Sequence, residues 1–152
     1  MRFLTDLKTV PPMARILGFL GLFPFLAGGF GVWLPGIGPL AYALPLLVMI
    51  YAAIIASFLG GVRWGTAMQN GQTAEQARYL VFSIIPSLMA FVAINLPIAG
   101  AMLLLMIVFL AQCITDLLAV KAGHIAAWFA PLRLVLTAGV CLSLMSLLVH
   151  AL

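Results

Sequence analysis

Apolar residues in this chain fall into five blocks, each about as long as the ~20 residues an α-helix needs to cross a bilayer. Of the 152 residues, 66% are hydrophobic and only 7% charged, whereas soluble domains carry about a quarter charged residues. A water-soluble fold has no interior large enough to hide that surface. The expected fold class is therefore all-α: a polytopic membrane protein with a single bundle of five transmembrane helices, one integral membrane domain over residues 1–152. The helices are expected at about 13–34, 40–62, 74–95, 98–120 and 131–149.

Proline and glycine punctuate these blocks. Pro11 and Pro12 open the first helix, since proline fits a first turn whose N–H groups are unpaired anyway. Within it Gly18, Gly21, Gly28, Gly29 and Gly31 flank Pro24, which predicts close packing and a kink near Pro24. Pro35, Gly36, Gly38 and Pro39 form an uncharged turn. In the second helix Ala52, Ala56 and Gly60 recur every four residues, as do Ala53, Ser57 and Gly61. Two adjacent small-residue stripes of that kind let membrane helices touch and place helix two centrally. Asn70 and Gly71 read as a turn, Thr73 with Gln76 as a capping box, and Gly123 as a C-terminal cap of helix four. Met1 to Val10, with Phe3, Leu4 and Leu7 on one face, reads as a short segment at the membrane surface. The first apolar block lacks a small-residue cleavage site and is expected to be a retained helix, not a removed signal.

The net charge is +4. Its basic residues are scattered rather than clustered, which excludes nucleic acid as a partner. Membrane topology accounts for them instead. Arg2, Lys8 and Arg15, then Arg63 and Arg78, then Lys121 and Arg133 all fall on one side of a five-helix alternation. Cytoplasmic loops hold the Lys and Arg excess, so the N-terminus is expected in the cytoplasm and the C-terminus in the periplasm.

Polar residues inside apolar spans are costly and usually face the bundle interior. Here they gather in the cytoplasmic half: Ser57 and Arg63 on helix two, Tyr79, Ser83 and Ser87 on helix three, Gln112 and Asp116 on helix four, Arg133 and Thr137 on helix five. Asp116 is the one acid inside a span, about five residues before Lys121 or roughly 7 to 8 Å along the axis. Three readings stand for it: a structural ion pair with Arg63 or Arg133, a proton-linked or substrate-binding carboxylate, or a side chain reaching interfacial water. The candidate ligand-binding set is Arg63, Asp116, Arg133, Gln112, Ser57, Trp64 and Trp128. In that reading the two arginines clamp a lipid phosphate bidentately; in the alternative they are helix anchors, with Trp64 and Trp128 as belt residues. Tyr51 is expected to hydrogen-bond to another helix.

Catalytic and metal assignments find no support. His124 and His150 lie on opposite sides, so at most one serves any nucleophile, and no group of soft or imidazole ligands comes together. Cys113 and Cys141 lack zinc or redox spacing and read as buried small hydrophobes. No cofactor is expected.

The stretch Ser57-Phe58-Leu59-Gly60-Gly61-Val62-Arg63-Trp64-Gly65 brings a resemblance into view. With Gly18, Gly21, Pro24 and Phe25 before it and Trp128, Leu132, Arg133, Leu136 and Thr137 after it, the chain resembles an inner-membrane family of proteobacteria classed as a domain of unknown function. That family includes mitochondrial transmembrane protein sixty-nine. The resemblance implies a multi-pass protein of the bacterial or mitochondrial inner membrane and carries over no catalytic residue. The short loops favour the bacterial inner (cytoplasmic) membrane, because a mitochondrial precursor is expected to have an Arg- and Ser-rich presequence.

Two functions suit these features best, with an enzyme third, supported only by the intramembrane polar cluster. The first is an accessory or interaction protein, packing against other membrane proteins or its own copies through the glycine faces of helices one and two. The second is a binding site or carrier for an anionic lipid or small amphiphile in a cytoplasm-facing polar pocket. Membrane lipids are expected partners in both.

Overall fold

Each helix boundary follows from a local backbone constraint. The computed structural model describes residues 7–36, 38–68 and 74–152. After a 3-10 turn at Leu7–Thr9, the helices are α1 (Pro12–Gly31), α2 (Leu40–Met68), α3 (Ala74–Ala93), α4 (Ile98–Lys121) and α5 (Phe129–Ala151). All five are long and apolar enough to cross a membrane, and no strand occurs among the described residues. The Asn70–Gly71 turn, the Thr73 cap, and Phe3 and Leu4 of the surface segment lie outside the described residues.

Pro11 is extended, and the first helical bond runs from the Arg15 N–H to its carbonyl at 3.0 Å. α1 stops at Gly31, three residues before the expected end. A residue preceding proline is driven out of the helical region, so Leu34 cannot continue the helix into Pro35; residues 32 to 34 tighten instead, with Trp33 N–H on Phe30 O and Leu34 N–H on Gly31 O. The same constraint acts at Leu96–Pro97, where α3 ends at Ala93 rather than Asn95. α4 closes as expected at Gly123, whose φ of +78° forms a Schellman cap: His124 N–H bonds Ala119 O and Gly123 N–H bonds Val120 O, each at 3.0 Å.

The largest departure is α2, which runs six residues past the expected end at Val62, to Met68. A charge at Arg63 predicts a helix boundary there, yet its side chain runs sideways onto α4 and leaves the backbone ladder intact. Thr66 bonds back to Val62 O at 2.7 Å within the same helix.

The helices close into a ring in which each packs on its chain neighbours and α1 also packs on α5, while α2 and α4 touch across the middle. Two glycines bring helices against main-chain atoms of a neighbour. A Cβ at Gly29 would lie 2.7 to 2.9 Å from Cβ, Cα and O of Ser143, so α1 and α5 meet backbone to backbone there. A Cβ at Gly60 would stand 2.5 Å from Ser83 O on α3. The stripe Ala52, Ala56 and Gly60 is thus buried inside the bundle. Leu22, Phe25, Met102, Leu105, Phe109, Leu144 and Leu147 fill the core between these contacts. Phe25 stacks on Tyr51 at 5.1 Å and meets Phe109 edge-on at 5.9 Å, and Tyr51 donates its hydroxyl hydrogen bond to Gly21 O of α1 at 2.9 Å. That is the interhelical bond anticipated for this tyrosine. At the opposite end from the polar cluster, Trp33 donates to Ser146 Oγ at 2.8 Å, and Ser146 in turn to Gly29 O at 2.6 Å.

Candidate functional site

Residues four apart on a helix share a face, and in the antiparallel pair α4 and α5 this brings Gln112 and Asp116 opposite Arg133 and Thr137. Asp116 sits at the centre, 4% exposed, with both arginines on it. Arg63 donates from Nε (2.9 Å) and Nη2 (2.8 Å) to Oδ1. Arg133, also 4% exposed, holds its Nε 2.8 Å from Oδ2, an ion-pair distance without hydrogen-bond alignment. One carboxylate therefore joins α2, α4 and α5. Nη2 of Arg63 further reaches Gln112 O at 2.7 Å and the Thr115 hydroxyl, and Gln112 Nε2 donates to Ala56 O of α2 at 2.9 Å.

Two guanidiniums against one carboxylate give the cluster a formal charge of +1 in surroundings that screen poorly. Several buried polar atoms around it have no protein partner: Nη2 of Arg133, Oγ1 of Thr137 and Oε1 of Gln112. An unsatisfied buried hydroxyl is a liability. Thr137→Val, which keeps the shape and removes the hydroxyl, is expected to leave stability unchanged or raise it by up to about 1 kcal/mol, measured by denaturant unfolding in micelles. A clear loss would mean that the hydroxyl has a partner in solution.

Beside the cluster lies a half-enclosed cleft of about 140 Å³, lined by Arg63, Thr66, Ala67, Tyr79, Phe82, Thr115, Ala119, His124 and Ile125. Its walls are α2, α3, α4 and the α4–α5 turn. Tyr79 and His124 meet edge-to-face at 5.9 Å across the end nearer the helix termini, while exposed Phe82 and Thr115 leave the side between α3 and α4 open. Arg63 commits Nε and Nη2 to α4, and among the described residues Nη1 has no hydrogen-bond partner.

Of the candidate set, Arg63, Asp116, Arg133 and Gln112 converge, and the other three stand apart. Ser57 bonds to its own helix at Ala53 O, 2.9 Å away. Trp64 is exposed, and Trp128 packs edge-on against Phe129 at 6.0 Å. The joint phosphate clamp does not form, because Asp116 occupies the Nε edge of both arginines and Arg133 is sealed inside the bundle. Thr66, Phe82 and His124 had no distinguishing sequence pattern, yet all three line the cleft.

A family model described as a protein of unknown function, DUF3429, matches residues 10–149. The chain belongs to this family. The matched region covers α1 to α4, all but the last two residues of α5, and every residue of the ion cluster. The chain is also 32% identical over 155 residues to transmembrane protein 69 of Xenopus tropicalis, covering 95% of this chain and 57% of that protein; it thus spans a little over half the length of that relative. No solved structure matches it.

Proposed function

We propose that this DUF3429 protein binds an anionic amphiphile from the inner leaflet of the bacterial cytoplasmic membrane, in the cleft between α2, α3 and α4. The observation that carries this reading is the uncommitted Nη1 of Arg63, a cationic donor on a residue that lines an otherwise largely apolar cleft. An arginine at this depth suits an anionic head group. The Tyr79–His124 contact lies toward water and the opening between α3 and α4 toward lipid, so a bilayer ligand has the more direct approach. Among the described residues all six Lys and Arg lie at the end of the bundle that holds the cleft, and the positive-inside bias supports a cytoplasmic side for that end.

Arg63→Gln tests the reading, because Asp116 keeps Arg133 and the bundle retains a neutral buried pair. Native mass spectrometry of gently extracted protein is expected to show a retained anionic amphiphile on the wild type and its loss from the variant. A ligand-free wild type, or a ligand held equally by both, would refute it.

The accessory role keeps one specific support. The stripes through Ala52, Gly28 and Gly29 are consumed inside the bundle, but Gly61 and Gly65, four apart on α2, are exposed with no neighbouring atom within 4 Å of an added Cβ. A helix of another chain fits such a face. On this reading Gly61→Leu releases a co-extracted protein while leaving the monomer folded.

A further inference from the structure

Resting on the amphiphile reading, we infer that the ligand is a single-chain carboxylate, of the fatty-acid class, rather than a phosphate ester or a two-chain phospholipid. Three observations converge on it.

The first is charge. Arg63, Asp116 and Arg133 sum to one formal positive charge, so a monoanion at Nη1 leaves the cluster neutral. A phosphate monoester carries about −1.5 to −2 at neutral pH and would leave an excess negative charge where water is scarce, which is strongly unfavourable.

The second is connectivity. Phosphodiester lipids are monoanions too, but their phosphate is bonded on both sides, so a substituent must leave in each direction. Here the guanidinium is backed by Asp116 and by the Gln112 carbonyl, and the Tyr79–His124 pair spans the cleft nearer the helix termini. A terminal head group with one tail running out between Phe82 and Thr115 fits that shape. A carboxylate is terminal.

Size is the third. The cleft is about 140 Å³, comparable to an apolar cavity of about 150 Å³ that accommodates one benzene. It takes a carboxylate and the first few carbons of one chain, and is too small for a glycerophosphate with two chains. With a single free nitrogen on Arg63, one carboxylate oxygen or both can accept its two hydrogens. Most of the remaining wall is apolar, from Phe82, Ala67, Ala119 and Ile125, with Thr66, Thr115, Tyr79 and His124 completing the lining.

The probes are dodecanoate, dodecyl phosphate and phosphatidylglycerol, each titrated onto the purified full chain in neutral detergent and read by native mass spectrometry. Dodecanoate is expected to bind one per chain, at least tenfold tighter than dodecyl phosphate or phosphatidylglycerol. Phe82→Trp and Ala119→Leu, which fill the cleft without altering a charge, are each expected to weaken dodecanoate at least tenfold; either variant suffices should the other fail to fold. Equal or tighter binding of dodecyl phosphate or phosphatidylglycerol, still sensitive to these variants, overturns the carboxylate assignment and leaves the cleft an anionic-amphiphile site. If no probe responds to a folded cleft-filling variant, both the assignment and the reading beneath it fail.

Discussion

Asp116→Asn is expected to destabilise the protein by about 3–5 kcal/mol, the usual consequence of removing one partner from a buried ion pair. The loss comes from what is left behind more than from what is removed. Arg133 is 4% exposed, with its Nε facing Asp116 Oδ2 and its Nη2 already without a partner, so the variant strands a guanidinium inside the bundle. Arg63, more exposed, turns toward the cleft at lesser cost. Denaturant titration in mixed micelles measures the effect, and the double variant Asp116→Leu with Arg133→Met provides the control. Apolar replacement of a whole buried pair is often neutral, so the double variant is expected to regain most of the loss. If the single variant unfolds with the wild type, the cluster does not hold α2, α4 and α5 together.

Gly29→Ala ranks next, at about 1–3 kcal/mol of destabilisation from overpacking. The added methyl meets Cα, Cβ and O of Ser143 at 2.7 to 2.9 Å. These are main-chain and root atoms that cannot rotate away, so α1 and α5 must separate. Their separation would also strain the Ser146 bond to Gly29 O. The same substitution at Gly61, where no atom lies within 4 Å, is expected to stabilise by up to about 1 kcal/mol, because alanine is the better helix former. Unfolding midpoints that move in opposite directions for these two variants would show that proximity, not residue type, decides the outcome. Equal shifts would refute the close approach at Gly29.

Much of the cluster was legible because its members break a local rule. Asp116 is an acid inside an apolar span, and Gln112 and Arg133 are polar where lipid disfavours them, so each is conspicuous without any neighbour being known. The cleft had no such signal. Phe82, Ala67 and Ala119 are ordinary apolar residues of apolar helices and Ile125 an ordinary apolar residue of the α4–α5 turn, and nothing in their spacing separates a wall of a cleft from a lipid-facing surface. Arg63 misled in one respect: as a charge it resembled a helix end, whereas its partner on α4 lets α2 continue to Met68.

By itself the sequence determined five apolar helices, their approximate ends, the side on which the positive charge lies and the residues that lipid would not tolerate alone. These are local properties: a span is a matter of length and polarity, and a proline or a left-handed glycine acts on its own backbone. The tertiary structure alone decided that one carboxylate serves two arginines, that the Ala52–Gly60 stripe is spent inside the bundle, and that one nitrogen of Arg63 is left over at an apolar cleft. Which faces meet depends on packing between segments distant in the chain, where every apolar face suits lipid and protein alike until small residues and a shared charge select the partner.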